Sequence, residues 1–158
     1  MTDFFLKEGR LRPSNAAVAL ILVGEPPRYL MQLRDQKPGI FYPGHWGLFG
    51  GAIDPGEAPE TTLQRELAEE LRLVGVELKY FTEFEFDFGF CGYGRLIRRC
   101  YEVCLPENGL RRLVLGEGRE MRAFTAAEIL NGPRIAPYDA LAVWLHASKE
   151  RTLERPAE

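Results

Sequence analysis

Residues 16–23 read AAVALILV, an unbroken apolar run of eight. A run this short cannot span a membrane. Bounded by Asn15 and the turn Gly24-Glu25-Pro26-Pro27, it reads as a strand buried in a sheet. Such a strand needs material packed over it, so the chain must supply further layers. Tyr29–Arg34 (YLMQLR) reads as the returning strand of a hairpin. Residues 35–45 hold Pro38, Gly39, Pro43 and Gly44 and form a loop, and Trp46–Phe49 is a short strand that runs into Gly50-Gly51.

The spacing of Leu63, Leu67, Leu71 and Val74 predicts a helix over Ala58–Leu71 with an apolar core stripe. Pro59 suits its first position and Glu60 its first turn. From Phe84 to Phe88 apolar and acidic residues alternate, the period of a strand with one buried face. Phe84, Phe86 and Phe88 are read as core or as a dimer edge. Leu96–Leu105 is the expected partner strand, with further strands at Arg111–Leu115 and Met121–Phe124. Ala126–Leu130 is a short helix, and Ala136–Ala147 a long one with Leu141 and Leu145 inward. Strands and helices do not alternate regularly, so a doubly wound parallel sheet is disfavoured and a mixed sheet between helices is expected.

Composition narrows the function classes. The 158 residues suit a single domain, 1–158, with a loose charged tail from about 150 to 158. The net charge of -3 lacks the basic excess of a nucleic-acid binder. Three cysteines, Cys91, Cys100 and Cys104, show neither disulfide nor zinc spacing and read as buried thiols. Residues 1–15 show no secretory signal, so the expectation is a soluble cytoplasmic protein with no membrane partner.

The chemistry is concentrated in Gly51–Leu73, GAIDPGEAPETTLQRELAEELRL. Glu66, Glu69 and Glu70 stand three and four residues apart, so their carboxylates crowd one helix edge beside the leucine stripe. Like charges at that spacing are destabilising, and a divalent cation would reverse the sign. Carboxylates gathered around Mg2+ are a site for phosphate chemistry. Gly50-Gly51 ends a strand where backbone approaches something closely. Arg65 can hold a glutamate in place through a bidentate pair.

This segment resembles the Nudix hydrolases. Their signature is a glycine, five residues, Glu, seven residues, Arg-Glu, an aliphatic, any residue, Glu-Glu, any residue, Gly and an aliphatic. Gly51, Glu57, Arg65, Glu66, Leu67, Glu69, Glu70 and Leu73 match it, and Arg72 replaces the final glycine. That glycine usually has positive φ, so either Arg72 adopts it at a cost of about 1 kcal/mol or the helix runs on to a cap at Gly75.

The resemblance implies an α/β/α sandwich around a central mixed sheet, an α+β arrangement, and an Mg2+-dependent (or Mn2+-dependent) pyrophosphohydrolase. Its substrate would be a nucleoside diphosphate linked to another group, such as a nucleotide sugar or a nucleoside triphosphate. The 35–45 loop is longer than a minimal connection and favours the bulkier substrate. Glu66, Glu69 and Glu70 would bind metal with the Gly50 carbonyl, Glu57 would support the loop, and Arg65 would orient a glutamate. Glu66 or Glu70 is a candidate base, as is Glu117 from a later loop, with Glu120 behind it. Arg34 is a candidate phosphate ligand. Phe41, Tyr42, His45 and Trp46 are candidates for stacking on a base or sugar, although Trp46 also suits the core, while His45 and still more His146 suit plain structural roles. Relatives with this signature are often homodimers.

Two alternatives have sequence-level discriminators. A binding module that had lost activity should lack one of the key glutamates, and all are present. An isoprenoid diphosphate isomerase, which shares the fold, should carry its catalytic cysteine upstream of the signature, whereas all three cysteines lie downstream.

Overall fold

A computed structural model describes residues 13–153. Seven strands form one sheet: β1 (Ala16–Val23), β2 (Arg28–Leu33), β3 (Trp46–Gly47), β4 (Phe49–Ala52), β5 (Lys79–Asp87), β6 (Arg95–Leu105) and β7 (Glu120–Phe124). The helices are α1 (Pro59–Leu71), α2 (Ala126–Asn131) and α3 (Pro137–Leu153). β1 lies at the centre. Its first half pairs antiparallel with β4 and its second half with β2, while β6 runs parallel along its other edge. β7 adds antiparallel to β2, and β5 to β6. The sheet is therefore mixed, as expected.

The apolar run is buried on both faces because the pleat sends alternate side chains to opposite sides. Ala17, Ala19, Ile21 and Val23 pack with Leu63, Leu67 and Leu71 of α1. Val18 and Leu20 pack with Ala142 and Val143 of α3. Burying each leucine of α1 contributes about 2 kcal/mol. The result is a helix layer on each face of the sheet. Among the described residues no helix is long and apolar enough to cross a membrane.

One open alternative is decided, and several local expectations need correction. Arg72 takes the left-handed conformation (φ 55°) and caps α1, its N–H donating to the Ala68 carbonyl. The chain leaves the helix there, so the stripe does not continue to Val74, which is 72% exposed. Gly75 also has positive φ but lies beyond the cap. Arg111–Leu115 is not a strand. A 3-10 turn spans Glu107–Arg112, and the Val114 N–H is spent on the Leu71 carbonyl of α1 instead of on a ladder.

The inward face of α3 is Asp139, Ala142, Val143 and His146, leaving Leu141 42% exposed. Small and hydrogen-bonded residues, not the largest apolar ones, face the sheet. α3 continues to Leu153, so the first part of the charged tail is helical, and residues 154–158 fall outside those described. Cys100 is buried as expected, but Cys104 is exposed; the Cys91 side chain lies outside the described residues.

Candidate active site

The site is built on one edge of α1. Leu63, Leu67 and Leu71 pin the helix to the sheet, which turns Glu66 and Glu70 toward the end of β4. Glu70 is 5% exposed. One of its carboxylate oxygens accepts from Gln32 Nε2 at 2.8 Å, the other from the Gly50 N–H at 2.8 Å. Burial pushes its pKa up to about 7 against the pull of those two bonds, and the charges of Glu66 and Glu117 add to the rise. Glu66 is also raised, first by burial and then by Glu69 and Glu117, with Arg65 opposing.

Glycine is required where β4 meets these carboxylates. A Cβ on Gly51 would stand 2.5 Å from the Glu66 carboxylate, and one on Gly50 (φ 128°) would collide with the Ala17 carbonyl. The backbone thus runs directly beside the acidic groups.

Glu117 arrives from a distant loop that is tied to the end of α1. Val114 N–H donates to the Leu71 carbonyl and Gly116 N–H to the Glu70 carbonyl, satisfying acceptors that every helix end leaves open. Arg119 N–H donates to the Leu33 carbonyl on the other side. The loop is held at both ends, and Glu117 lines the same groove as Glu66 and Glu70. Glu120, the runner-up, is exposed on β7 and does not line it.

Arg65 ties the acidic edge to the preceding turn. It donates to Glu66 at 2.8 Å and to Glu57 through two nitrogens, at 3.1 and 3.3 Å. Glu57 also accepts from the Thr62 hydroxyl at 2.7 Å. These bonds hold the Glu57 carboxyl below its usual range, the Arg65 bond contributing most. Glu57 is therefore a loop support. Glu69 is 57% exposed, 3.8 Å from Arg65, and outside the groove lining.

Two concavities meet at β4. The acidic groove, about 250 Å³, is lined by Gln32, Arg34, Asp35, Lys37, Glu66, Glu70 and Glu117. A neighbouring cavity, about 330 Å³, is lined by Phe41, Tyr42, Phe86, Phe88, Arg98 and Tyr138, among others. Both share Arg34, Ile40 and the backbone of Gly50-Gly51-Ala52.

Of the residues expected to contact substrate, Arg34 and Tyr42 belong here. Arg34 Nε also braces the loop by donating to the Phe41 carbonyl at 2.9 Å. Trp46 does not belong: it packs edge-on against Phe124 at 4.8 Å and borders a separate depression. His45 lines neither concavity and sits edge-on to Tyr42, its Nδ1 3.0 Å from the Pro43 carbonyl.

Reasoning from sequence missed Gln32, Phe86, Phe88, Arg98 and Tyr138. The alternation through Phe84–Phe88 did carry a signal, since it puts all three rings on one face. Phe84 fills the core, whereas Phe86 and Phe88 border the cavity.

Among the described residues, no three His, Cys, Asp or Glu side chains are already drawn into a metal-holding cluster. The donor set still fits a hard divalent cation. It consists of carboxylate oxygens with lone pairs to spare, Glu66 being paired with Arg65 while Glu70 accepts from the neutral donors Gln32 and the Gly50 N–H.

The NUDIX domain model matches residues 13–144. The chain belongs to the Nudix family. A nucleoside triphosphatase, NudI of Escherichia coli O9:H4 (strain HS), is 42% identical over 50 residues, 32% of this chain and 35% of that protein. An uncharacterized Nudix hydrolase, orf19 of Rhodococcus erythropolis, is 37% identical over 60 residues, 38% of this chain and 32% of its own. The matched stretch thus spans about a third of these curated Nudix relatives. A mutT/nudix family protein from Listeria innocua superposes with a TM-score of 0.67 over 92% of this chain and 100% of that one, at 22% identity, a likeness of fold. Nudix hydrolases are pyrophosphohydrolases and generally use divalent metal ions.

Proposed function

We propose that this Nudix chain is an Mg2+-dependent hydrolase of the phosphoanhydride bond in a nucleoside diphosphate linked to another group. The substrate is a nucleotide sugar or a nucleoside triphosphate. The observation that carries this reading is the adjacency of two unlike concavities: an acidic groove suited to cation and phosphate borders, along Gly50-Gly51-Ala52, Arg34 and Ile40, an aromatic cavity suited to a base.

Glu66 and Glu70 would hold the cation, with the Gly50 carbonyl and the rim residue Glu69 as further ligands. When bound, Mg2+ or Mn2+ neutralises the diphosphate and acts as a Lewis acid toward it. Gln32 and the Gly50 N–H keep Glu70 in one orientation, and Arg65 does the same for Glu66. Arg34 and Lys37 bring positive charge to the groove for phosphate oxygens. A groove carboxylate accepts the proton of the attacking water, Glu117 from the loop or Glu66 or Glu70 from the helix. The new bond joins water oxygen to phosphorus. The bond to the bridging oxygen breaks, and the leaving phosphate takes its electron pair. Phe41 and Tyr42 flank the base or sugar.

A panel of nucleotide sugars, nucleoside triphosphates, ADP-ribose and dinucleoside polyphosphates tests the reading. The expected result is release of a nucleoside monophosphate with Mg2+ and none with a chelator. Calorimetry gives an independent check: Mg2+ or Mn2+ should bind the wild type and not Glu70→Gln. No hydrolysis across the panel together with no cation uptake would end this reading.

A further inference from the structure

The acidic groove holds a neutral side chain where the pleat calls for an apolar one. Along β2, Leu30 and Gln32 point to the same face of the sheet, the α1 face. Leu30 packs into the core there, yet the next inward position is an amide that is only 5% exposed. Burying an amide in place of an apolar group is costly unless its polar atoms are used. Gln32 Nε2 donates to Glu70 at 2.8 Å, which turns its Oε1 away from that carboxylate. Its backbone is held on both edges, paired with Gly47 of β3 and with Met121 of β7.

The loop that carries Glu117 closes on the same side chain. Gly118 (φ 82°) sits so near that a Cβ there would stand 2.9 Å from Gln32 Oε1 and 3.1 Å from the Leu33 carbonyl. Two residues earlier, a Cβ on Gly116 would collide with the Glu69 carbonyl, while the Gly116 N–H reaches the Glu70 carbonyl at 2.7 Å. Contacts therefore run in a closed ring. They pass from the Glu70 carboxylate through the Gln32 amide to Gly118, across Glu117 to Gly116, and back to the Glu70 main chain. The Arg119 N–H, bonded to the Leu33 carbonyl at 2.9 Å, fixes the far side of the loop. A shift of the loop toward β2 thus presses on Gln32. Groups that hold a metal-binding carboxylate by hydrogen bonds commonly set affinity by about 10–100-fold. Building on the proposed function, which gives Glu70 to the cation, we infer that Gln32 is a positioning residue that transmits the seating of the Glu117 loop to the Glu70 carboxylate, so that the loop governs cation affinity as well as shaping the groove.

Calorimetric titration of the full chain with Mn2+ tests the coupling. Gln32→Met keeps the length of the side chain and removes its donor, and should weaken Mn2+ binding about ten-fold. Gly118→Ala puts a methyl group against Gln32 Oε1 and should weaken it about five-fold, a coupling of the size that residues in contact show. In the Gln32→Met background the flexible thioether can turn aside without drawing on Glu70. There the same alanine should change affinity by less than about two-fold. Melting curves run beside the titrations identify a purely structural role, which would lower Tm in the variants and leave the Mn2+ affinity of folded protein unchanged. That result would overturn the inference. So would an equal loss from Gly118→Ala in both backgrounds, which would mean that the loop acts through Glu117 alone. Wild-type uptake unaffected by either substitution sinks the inference and spares the hydrolase reading. Coupled uptake without hydrolysis across the substrate panel does the reverse, and no uptake by the wild type sinks both.

Discussion

Two glutamates, both nearly inaccessible to solvent, sit on opposite faces of the same sheet and meet opposite electrostatic conditions. Glu70, on the α1 face, has two neutral hydrogen-bond donors, and its charged neighbours in the groove include Glu66 and Glu117. Glu102, on the α3 face, has Lys149 at 2.5 Å, His146 at 2.9 Å and Lys79 at 3.5 Å. Burial alone would raise its pKa, but Lys149 and His146 more than reverse that and bring it down to about 2. His146 Nε2–H donates to the carboxylate, which leaves Nδ1 to accept from the Tyr29 hydroxyl at 2.8 Å. The Glu102 network is closed and needs nothing further. The Glu70 side is electrically incomplete, and a buried group left in that condition points to a partner that arrives from solution.

The contrast is broken most directly at Glu70. Glu70→Gln should lower hydrolytic activity by a factor of about 1,000 while shifting unfolding free energy by no more than about 1 kcal/mol. Relief of like-charge repulsion offsets the loss of one hydrogen bond. Steady-state assays with Mg2+ and thermal melts read the two effects, and activity within a few-fold of wild type would remove Glu70 from the site.

The converse substitution, Glu102→Gln, should cost about 2 kcal/mol of stability with kcat unchanged, because it leaves Lys149 and His146 facing a neutral group. Denaturant titration and assays on the folded fraction separate those outcomes.

Acid titration sharpens the same point. Glu102 and His146 both have folded pKa values below their ordinary ones, His146 chiefly through burial and then through Lys149. Each binds fewer protons folded than unfolded, so each contributes stability that is present above its ordinary value and lost as pH falls. Loss should begin as pH drops below about 6.5, where unfolded His146 takes a proton, and continue below about 4.5 toward 2, where Glu102 does. Glu102→Gln should shallow the lower limb of a stability–pH curve, with Glu57 and Glu60, whose carboxyls are also held low, contributing to what remains, and an unchanged curve would show that the network does not control acid unfolding.

The smallest effect is expected at Arg72. Because that residue holds a left-handed conformation and is exposed, Arg72→Gly should add roughly 1 kcal/mol, or about 2–4 °C in Tm. A fall in Tm would mean that the arginine side chain stabilises the helix end by more than the conformation costs.

The sequence made local patterns legible and left long-range ones hidden. The apolar run marked β1 to the residue, and the leucine spacing marked α1, with only its first residue, Ala58, serving as the cap. Glu66 and Glu70 were readable because their placement depends on helix period alone. The position of Glu117 depends on which backbone groups close the end of α1, a pairing made by Val114 and Gly116 more than forty residues away. That same pairing removed the expected strand at Arg111–Leu115. Trp46 stayed open between stacking and the core because a residue in a two-residue strand carries no usable alternation, and contact with Phe124 decides for the core. α3 misled for a different reason. Its inward positions hold Asp139 and His146, polar side chains whose partners, Arg98, Tyr29 and Glu102, belong to strands distant in sequence.

The two concavities border one another along the main chain of Gly50-Gly51, with Ala52, Arg34 and Ile40 beside it. At the two glycines the border is made of peptide groups, and a Cβ added there would meet the Ala17 carbonyl at Gly50 or the Glu66 carboxylate at Gly51. An engineer therefore inherits two adjustable chambers joined by a fixed threshold. Aromatic residues of the one chamber, Phe41, Tyr42, Phe86 and Phe88, can be exchanged without touching Glu66, Glu70 or Glu117 of the other. The spacing between the two chambers, by contrast, is set by the scaffold.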